Sequence, residues 1–208
     1  MAVCRKPEMD LLSVLTSKLR VASQQQLSMA DAGWNERMVR MLVSRRLLAS
    51  ARFTIAVIDA GDEPFVQWQP GQSAPDSGSI AYLGRRRLSQ SQRKSQTVVW
   101  ATERAAALVG GIGGKLRQPW QVSHDLGVAS IYFHLRRTAE HAASQWISED
   151  IYRRDIARTT TEKIADAFLM SESEKPQLAI ELVGDYSAAR LRDFHQFWSN
   201  RGVAYEWR

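Results

Sequence analysis

Two carboxylates set 15 residues apart, Asp166 and Glu181, lie in successive β-rich runs, KIADAFLM and PQLAIELVG. If those runs are neighbouring strands, the two side chains meet at one edge. Paired carboxylates there suit Mg²⁺, a hard cation that takes oxygen ligands and orients water. Their plainer reading is that they satisfy backbone groups or pair with arginine at a strand edge. His124, with Asp125 beside it at a helix start, adds an imidazole to the candidates, again with capping or a core role as the plainer alternative. His134, His141 and His195 show no metal-ligand spacing with one another. The run GGIGGK at 110–115 is no phosphate loop. Such a loop follows a strand and runs Gly-Lys-Ser/Thr into a helix, whereas here the glycines end a helical pattern and Leu116 follows Lys115.

The elements that must hold these residues read as follows. SHDLGVASIYFHLRRTAEHAAS is a long helix with Ser123 as a cap and an apolar face through Leu126, Ile131, Leu135 and Ala139. SQWIS is a short strand, and residues 149–163 are charged and irregular with room for a helical turn. The two acid-bearing strands come next, then a helix ending at Gly202 and a final strand VAYEW. Helix, three strands, helix, strand is the order of a restriction-endonuclease-like αβββαβ domain. In that fold an Asp on the second strand and a Glu-x-Lys on the third bind the metal and orient water. Here the residue two after Glu181 is Val183, which neither activates water nor steadies developing charge. The pattern therefore predicts a nuclease-like shape without catalysis, with Lys163 reaching in from its strand as the one route to an active enzyme. His124, Asp166 and Glu181 are the catalytic candidates, and Asp166 and Glu181 the Mg²⁺ ligands if the domain is active. No other cofactor is expected.

Charge is divided along the chain. Residues 1–120 hold 17 Lys/Arg against 9 Asp/Glu, and residues 121–208 hold 11 against 13. A basic half joined to a slightly acidic one suggests that one part faces a polyanion, although a basic surface is also compatible with simple solvation. Its scaffold favours the polyanion. EMDLLSVLTSKLR has helical apolar spacing, Ser23 caps a short second helix, Gly33 breaks it, and Asn35 caps a third helix, NERMVRMLVSRRLLAS. ARFTIAVID and PFVQWQP then read as a hairpin joined by Ala60-Gly61-Asp62-Glu63. Three helices followed by a hairpin is the order of a winged helix-turn-helix, whose third helix enters the major groove. Arg37 and Arg40 sit where base edges are reached, while Arg45, Arg46 and Arg52 suit phosphates. PGQSAPDSG is a loop. After it, SIAYLGRRRLSQSQRKSQ carries Arg85, Arg86 and Arg87 with Arg93 and Lys94, either a phosphate-tracking arm or a solvated face. TVVWATERAAALVGG is a strand and then a helix capped by Thr102 and stopped by Gly110-Gly111.

An apolar fraction of 44% excludes a disordered chain, and one cysteine, Cys4, excludes an internal disulfide and a Cys-rich zinc site. With no signal-like segment and no long apolar run, the chain is expected in the cytoplasm and away from membranes. The expected fold class is α+β or α/β, with a winged-helix region over 1–115 carrying the basic arm and a nuclease-like domain over 120–208.

Several pieces together resemble the replication-relaxation family of bacterial mobile elements: MVRMLVSRRLLAS, VVWATERAAALVGG, the HDLGVAS helix start at His124, KIADAFL and LAIELVGDYSAARLRDFH. The likeness covers most of the chain. It implies a role in plasmid replication and in DNA relaxation or mobilisation, a second domain similar to the nuclease fold, and His124, Asp166 and Glu181 as its site positions. The family pattern at KIADAFL is closer to Pro-Asp-Ala, where this chain has Ala165-Asp166-Ala167, a departure that with Val183 argues against catalysis. The expected function is a DNA-binding accessory or regulatory protein of a plasmid or mobile element. Double-stranded DNA is its partner, with further proteins of a replication or mobilisation complex and a second copy of the chain as candidates. A Mg²⁺-dependent DNA endonuclease or nickase is the alternative, and a third reading is an interaction protein whose winged helix never touches DNA.

Overall fold

The computed structural model describes residues 4–58, 60, 63–114, 116, 121–157 and 162–208, which build a mixed α+β protein around two sheets. Helix α1 (Lys6–Ser13) carries Pro7 in its first turn, where a missing N–H costs nothing, and runs on as a π-helical turn over Val14–Lys18. A short strand β1 (Ala22–Ser23) leads into α2 (Gln24–Ala30). Ser23 Oγ accepts from Gln26 N–H while the Gln26 carboxamide oxygen accepts from Ser23 N–H, closing a reciprocal capping box. Helix α3 (Glu36–Ser44) starts at Asn35, whose Oδ1 accepts from Met38 N–H, and buries Val39 and Leu42.

Helix α3 ends at Ser44 rather than continuing to Ser50. Arg46 takes a φ of 57°, breaking the helix, and Leu48–Ala56 forms strand β2. Nine residues of β2 pair antiparallel with β4 (Arg93–Ala101), and β1 pairs with the other side of β4, giving the order β1-β4-β2. The hairpin expected between ARFTIAVID and PFVQWQP therefore does not form. RKSQTVVWA offers β2 the longer ladder, while Val66–Trp68 (β3) pairs with a strand of the second sheet. Of the expected turn at 60–63, Gly61 and Asp62 lie outside the described residues. Between β3 and β4 runs helix α4 (Ser77–Gln90), capped by Asp76, whose carboxylate accepts from Gly78 and Ser79 N–H.

Helix α5 (Glu103–Val109) is capped by Thr102 and stopped at Gly110, as its sequence predicts; Lys115 of the glycine run lies outside the described residues. Helix α6 (Val122–Thr138) starts one residue before Ser123, which is not its cap. The Ser123 hydroxyl accepts from Ala56 N–H instead and ties the helix to β2. After α7 (Glu140–Gln145) come β5 (Trp146–Ser148) and α8 (Glu149–Asp155), then β6 (Ala167–Met170) and β7 (Pro176–Glu181). Helix α9 (Ala188–Ser199) crosses over to β8 (Ala204–Trp207), which lies parallel to β7, while the other pairings are antiparallel. The second sheet has the order β3-β8-β7-β6-β5.

Helix positions around this sheet are set by two glycines. A Cβ on Gly84 of α4 would stand 2.7 Å from both Gly184 O and Val183 Cγ1, and one on Gly127 of α6 would stand 2.5 Å from Leu182 Cδ2. Two helices thus close tightly over the chain at 182–184, just after Glu181. One apolar core runs from Leu11, Leu15 and Trp34 through Ile58 to Trp146, Ile180 and Leu182. A second gathers Trp68, Ile80 and Ala81 with Phe168, Trp198 and Tyr205. Trp68 and α4, placed by sequence with the first region, therefore pack with the second sheet. No helix among the described residues is long and apolar enough to cross a membrane.

Candidate functional site

His124, Asp166 and Glu181 come from the first turn of α6, the residue before β6 and the last residue of β7, and they converge. His124 Nε2 stands 3.4 Å from Asp166 Oδ2 and 3.1 Å from Leu182 O, to which it donates. Asp166 Oδ2 also accepts from Leu182 N–H at 2.8 Å, and Glu181 Oε2 accepts from Asp166 N–H at 3.2 Å. The antiparallel pairing of β6 with β7 brings the two acids together, since Ala167 faces Ile180 one step inside each strand.

Two residues not singled out from the sequence complete the cluster. Arg190 of α9 places Nη2 3.5 Å from Glu181 Oε1 and stacks its guanidinium 3.7 Å above the Tyr186 ring, whose hydroxyl hydrogen-bonds Glu181. They follow Glu181 by five and nine residues, and without the β7–α9 turn no spacing rule ties them to it. Burial is nearly complete for Glu181 and high for Asp166, with side-chain exposures of 4% and 13%. Desolvation, with Asp166 nearby, pushes the Glu181 carboxyl up to about 8, against the pull of Tyr186, His124 and Arg190. Burial also raises Asp166, while His124 and the Leu182 N–H oppose the rise. For His124, burial disfavours the imidazolium, but Asp166, Asp125 and Glu181 outweigh it and lift the ring to about 9. The surroundings thus favour the imidazolium of His124 against Asp166 and the protonated form of Glu181 beneath Arg190.

A Mg²⁺ site needs carboxylate oxygens aimed at one cation. Here both carboxylates already accept backbone N–H groups, and two protein cations, His124 and Arg190, face them. Among the described residues no group of three or more His, Cys, Asp or Glu is arranged to hold a metal. Val183 is fully buried against α4, so the position two residues after Glu181 is apolar core. Lys163 lies exposed, outside any strand, and makes no hydrogen bond or ion pair with either acid. As arranged, the donor set does not fit the metal.

Beside this cluster lies an ionic hub around Arg20, which follows the π-helical turn. Its guanidinium meets Asp150 at 2.7 Å, Glu149 at 2.6 Å and Asp125 at 3.5 Å. These partners lie more than a hundred residues away, so no local pattern reveals the hub. It borders a cavity of about 510 Å³ that Trp100, Gly113 and Gly114 also line.

The arginines assigned to DNA divide into two groups. Arg37, Arg40, Arg46, Arg52, Arg85 and Arg86 are exposed. Arg40 is only loosely paired with Glu36, at 3.9 Å, and Arg52 sits opposite Thr97 on the β2–β4 ladder. Arg85 reaches Tyr186 O at 3.3 Å. Arg45 and Arg87 are half-buried and already bonded within the fold. Arg45 bonds the buried Glu8 at 2.9 Å, and Arg87 donates to Val183 O and Arg208 O and lies over Phe65. Arg45 gives the buried Glu8 a charged partner, and Arg87 ties α4 to the carbonyls of Val183 and Arg208.

Compared with protein-family models, curated proteins and solved structures, the chain shows no significant match to any of them.

Proposed function

We propose that this chain is a cytoplasmic DNA-binding accessory or regulatory protein of a plasmid or mobile element, acting in replication, mobilisation or transcription control. The observation that supports the reading most is the order of α1, α2 and α3 around the sheet β1-β4-β2, which a winged helix would also have. Helix α3 keeps Arg37 and Arg40 on its exposed side, and Arg52 lies on the adjoining ladder, so base-reading and phosphate-binding groups share one part of the molecule. The resemblance to the replication-relaxation family supports the biological setting, with other proteins of a replication or mobilisation complex, or a second copy of the chain, as partners. The second sheet supports a nuclease-like shape: an antiparallel β5-β6-β7 meander, then a helical crossover to a parallel β8. Val183 and the two cations facing the carboxylates support reading that shape as catalytically silent.

Selection of duplex DNA from a random pool by the purified protein tests the proposal and yields the site's symmetry. Arg37→Ala with Arg40→Ala is expected to weaken the selected duplex by about tenfold or more, each bidentate base contact being worth ~1–3 kcal/mol. Affinity should also fall steeply with salt. Absent or salt-insensitive binding would sink the reading, and specificity that survives both substitutions would remove α3 from it. The convergence of His124, Asp166 and Glu181 is the feature that a second reading, a metal-dependent endonuclease or nickase, draws on, and it requires the carboxylates to exchange their present partners for the metal. Incubating supercoiled plasmid with Mg²⁺ or Mn²⁺ decides it: nicking that disappears in Asp166→Ala establishes an enzyme.

A further inference from the structure

The stretch between β2 and β4 does more than close a wing. Val57 N–H bonds Gln92 O where the ladder ends, and α4 leaves that point to pack on the second sheet. Beside this junction lies an open groove of about 500 Å³. Val57, Phe65 and Leu83 supply its apolar lining, Arg86, Lys94 and the Arg87 that lies over Phe65 its cations, and Gln90 an amide. None of its lining residues among the described ones carries a carboxylate. Val57 and Leu83 are 37% and 36% exposed, and Tyr82, one helical turn before Arg86 on α4, is 58% exposed. These are three of the five large apolar side chains left exposed among the described residues. They stand beside Arg86 and Lys94, which make no ion pair among the described residues, a combination that a merely solvated basic face does not require.

We propose that this groove binds single-stranded nucleic acid, with a base lodged against Leu83, Val57 and the neighbouring Tyr82 and the flanking phosphates held by Arg86 and Lys94. Three features favour that occupant. Aromatic and apolar groups interleaved with cations are what an unpaired strand uses, because its bases are free to leave the stack. The groove has the size of a small-ligand site, on the order of one nucleotide, and is too small to seat a duplex. An acidic peptide would satisfy the charges but would leave the exposed Tyr82 and Leu83 without a planar partner. The site is separate from the α3 surface and does not depend on it. It gives a DNA-binding protein a place for a displaced strand next to the ladder on which Arg52 lies.

The test uses the full chain and fluorescently labelled oligo(dT), a duplex of equal length and poly-glutamate, read by anisotropy. Wild type should bind oligo(dT), and Tyr82→Ala with Arg86→Ala and Lys94→Ala should weaken it at least about tenfold, a loss in keeping with one stacked base. The dependence of log affinity on log salt should become shallower by about 1.4 for the two lost phosphate contacts. All three positions are exposed, so the fold is retained, and circular dichroism checks that. Arg37→Ala with Arg40→Ala should leave oligo(dT) binding unchanged while reducing duplex binding, so failure here is distinguishable from failure of the α3 reading. The proposal is overturned by absent oligo(dT) binding, by an affinity the groove substitutions do not alter, or by poly-glutamate displacing oligo(dT) at lower charge concentration than competing oligonucleotide.

Discussion

Raising the pH should destabilise the protein between about 6.5 and 9, and the buried cluster at the end of β7 sets the window. His124 ordinarily titrates at 6.5 and in the fold at about 9. A raised histidine stabilises the fold fully below its unfolded pKa, and that stabilisation is lost as pH climbs through the folded value. Glu181 ordinarily titrates at 4.5 and in the fold at about 8, so the folded chain keeps a proton that the unfolded chain has released. Its contribution also falls with rising pH. The two do not simply add, because an ionised Glu181 helps to hold the His124 proton. Asp166 and Asp125 face the imidazole throughout, and Arg190 and Tyr186 face Glu181. Taking one net proton retained by the fold, the loss is about 2 kcal/mol from pH 6.5 to 8 and about 3 kcal/mol to pH 9. Burial raises Tyr132, Tyr186 and Tyr205, and tyrosine ionisation in the unfolded chain begins only above this window. Urea unfolding at pH 6.5, 8 and 9 measures the effect in wild type, His124→Gln and Glu181→Gln. Each substitution should flatten the slope. Stability that is level or rises across the window, or a slope unchanged in both variants, would refute the reasoning.

Two further substitutions follow from the same geometry. Val183→Lys, which completes a Glu-x-Lys pattern after Glu181, puts an ammonium where Val183 is fully buried against Gly84 of α4. It should cost at least about 3 kcal/mol of stability and bring no plasmid nicking, checked by urea midpoint and agarose gel. Arg20→Met removes the cation that Asp125, Glu149 and Asp150 share, although Glu149 keeps Arg153 and Asp125 keeps His124 nearby. Since the hub is only partly exposed, a loss of roughly 3 kcal/mol is expected, and a change below about 1 kcal/mol would mean solvent already screens the three acids.

What the sequence made legible was local. Ser23, Asn35 and Thr102 each cap the helix that their neighbours predict, because a side-chain oxygen within three residues of an N–H needs nothing from the rest of the fold. The meeting of Asp166 with Glu181 was also readable, since adjacent strands joined by a short connection usually pair. Partner choice over longer range was not. PFVQWQP has all the marks of a hairpin arm for β2, yet β2 takes RKSQTVVWA, whose nine residues match its length. The Val66–Trp68 strand is worth more at the edge of the second sheet, where Trp68 stacks on Tyr205 at 5.2 Å and joins a core of aromatic side chains. Likewise Arg45 and Arg87 look like Arg37 and Arg86 in sequence. Only tertiary neighbours, the buried Glu8 and the carbonyls of Val183 and Arg208, turn them inward.

The same long-range choices bear on whether residues 120–208 stand alone. The core that holds Ile180, Leu182 and Trp146 is built on the other side by Leu11, Leu15 and Ile58, and the core of Phe168 and Trp198 includes Trp68, Ile80 and Ala81. A fragment beginning at residue 120 would uncover the β8 edge, which β3 now pairs, and leave these faces wet. At about 2 kcal/mol for each large aliphatic side chain exposed, Ile180 and Leu182 together with Val183 beneath Gly84 remove on the order of 6 kcal/mol. That is comparable with the whole stability of a small domain, roughly 5–15 kcal/mol. The fragment is therefore expected to lack cooperative unfolding, while the full chain melts in one transition that both halves share. A sharp thermal transition and dispersed amide resonances from residues 120–208 alone would show that the second sheet is self-sufficient. In that case the stretch between β2 and β4 would be a docked accessory rather than part of the core it completes.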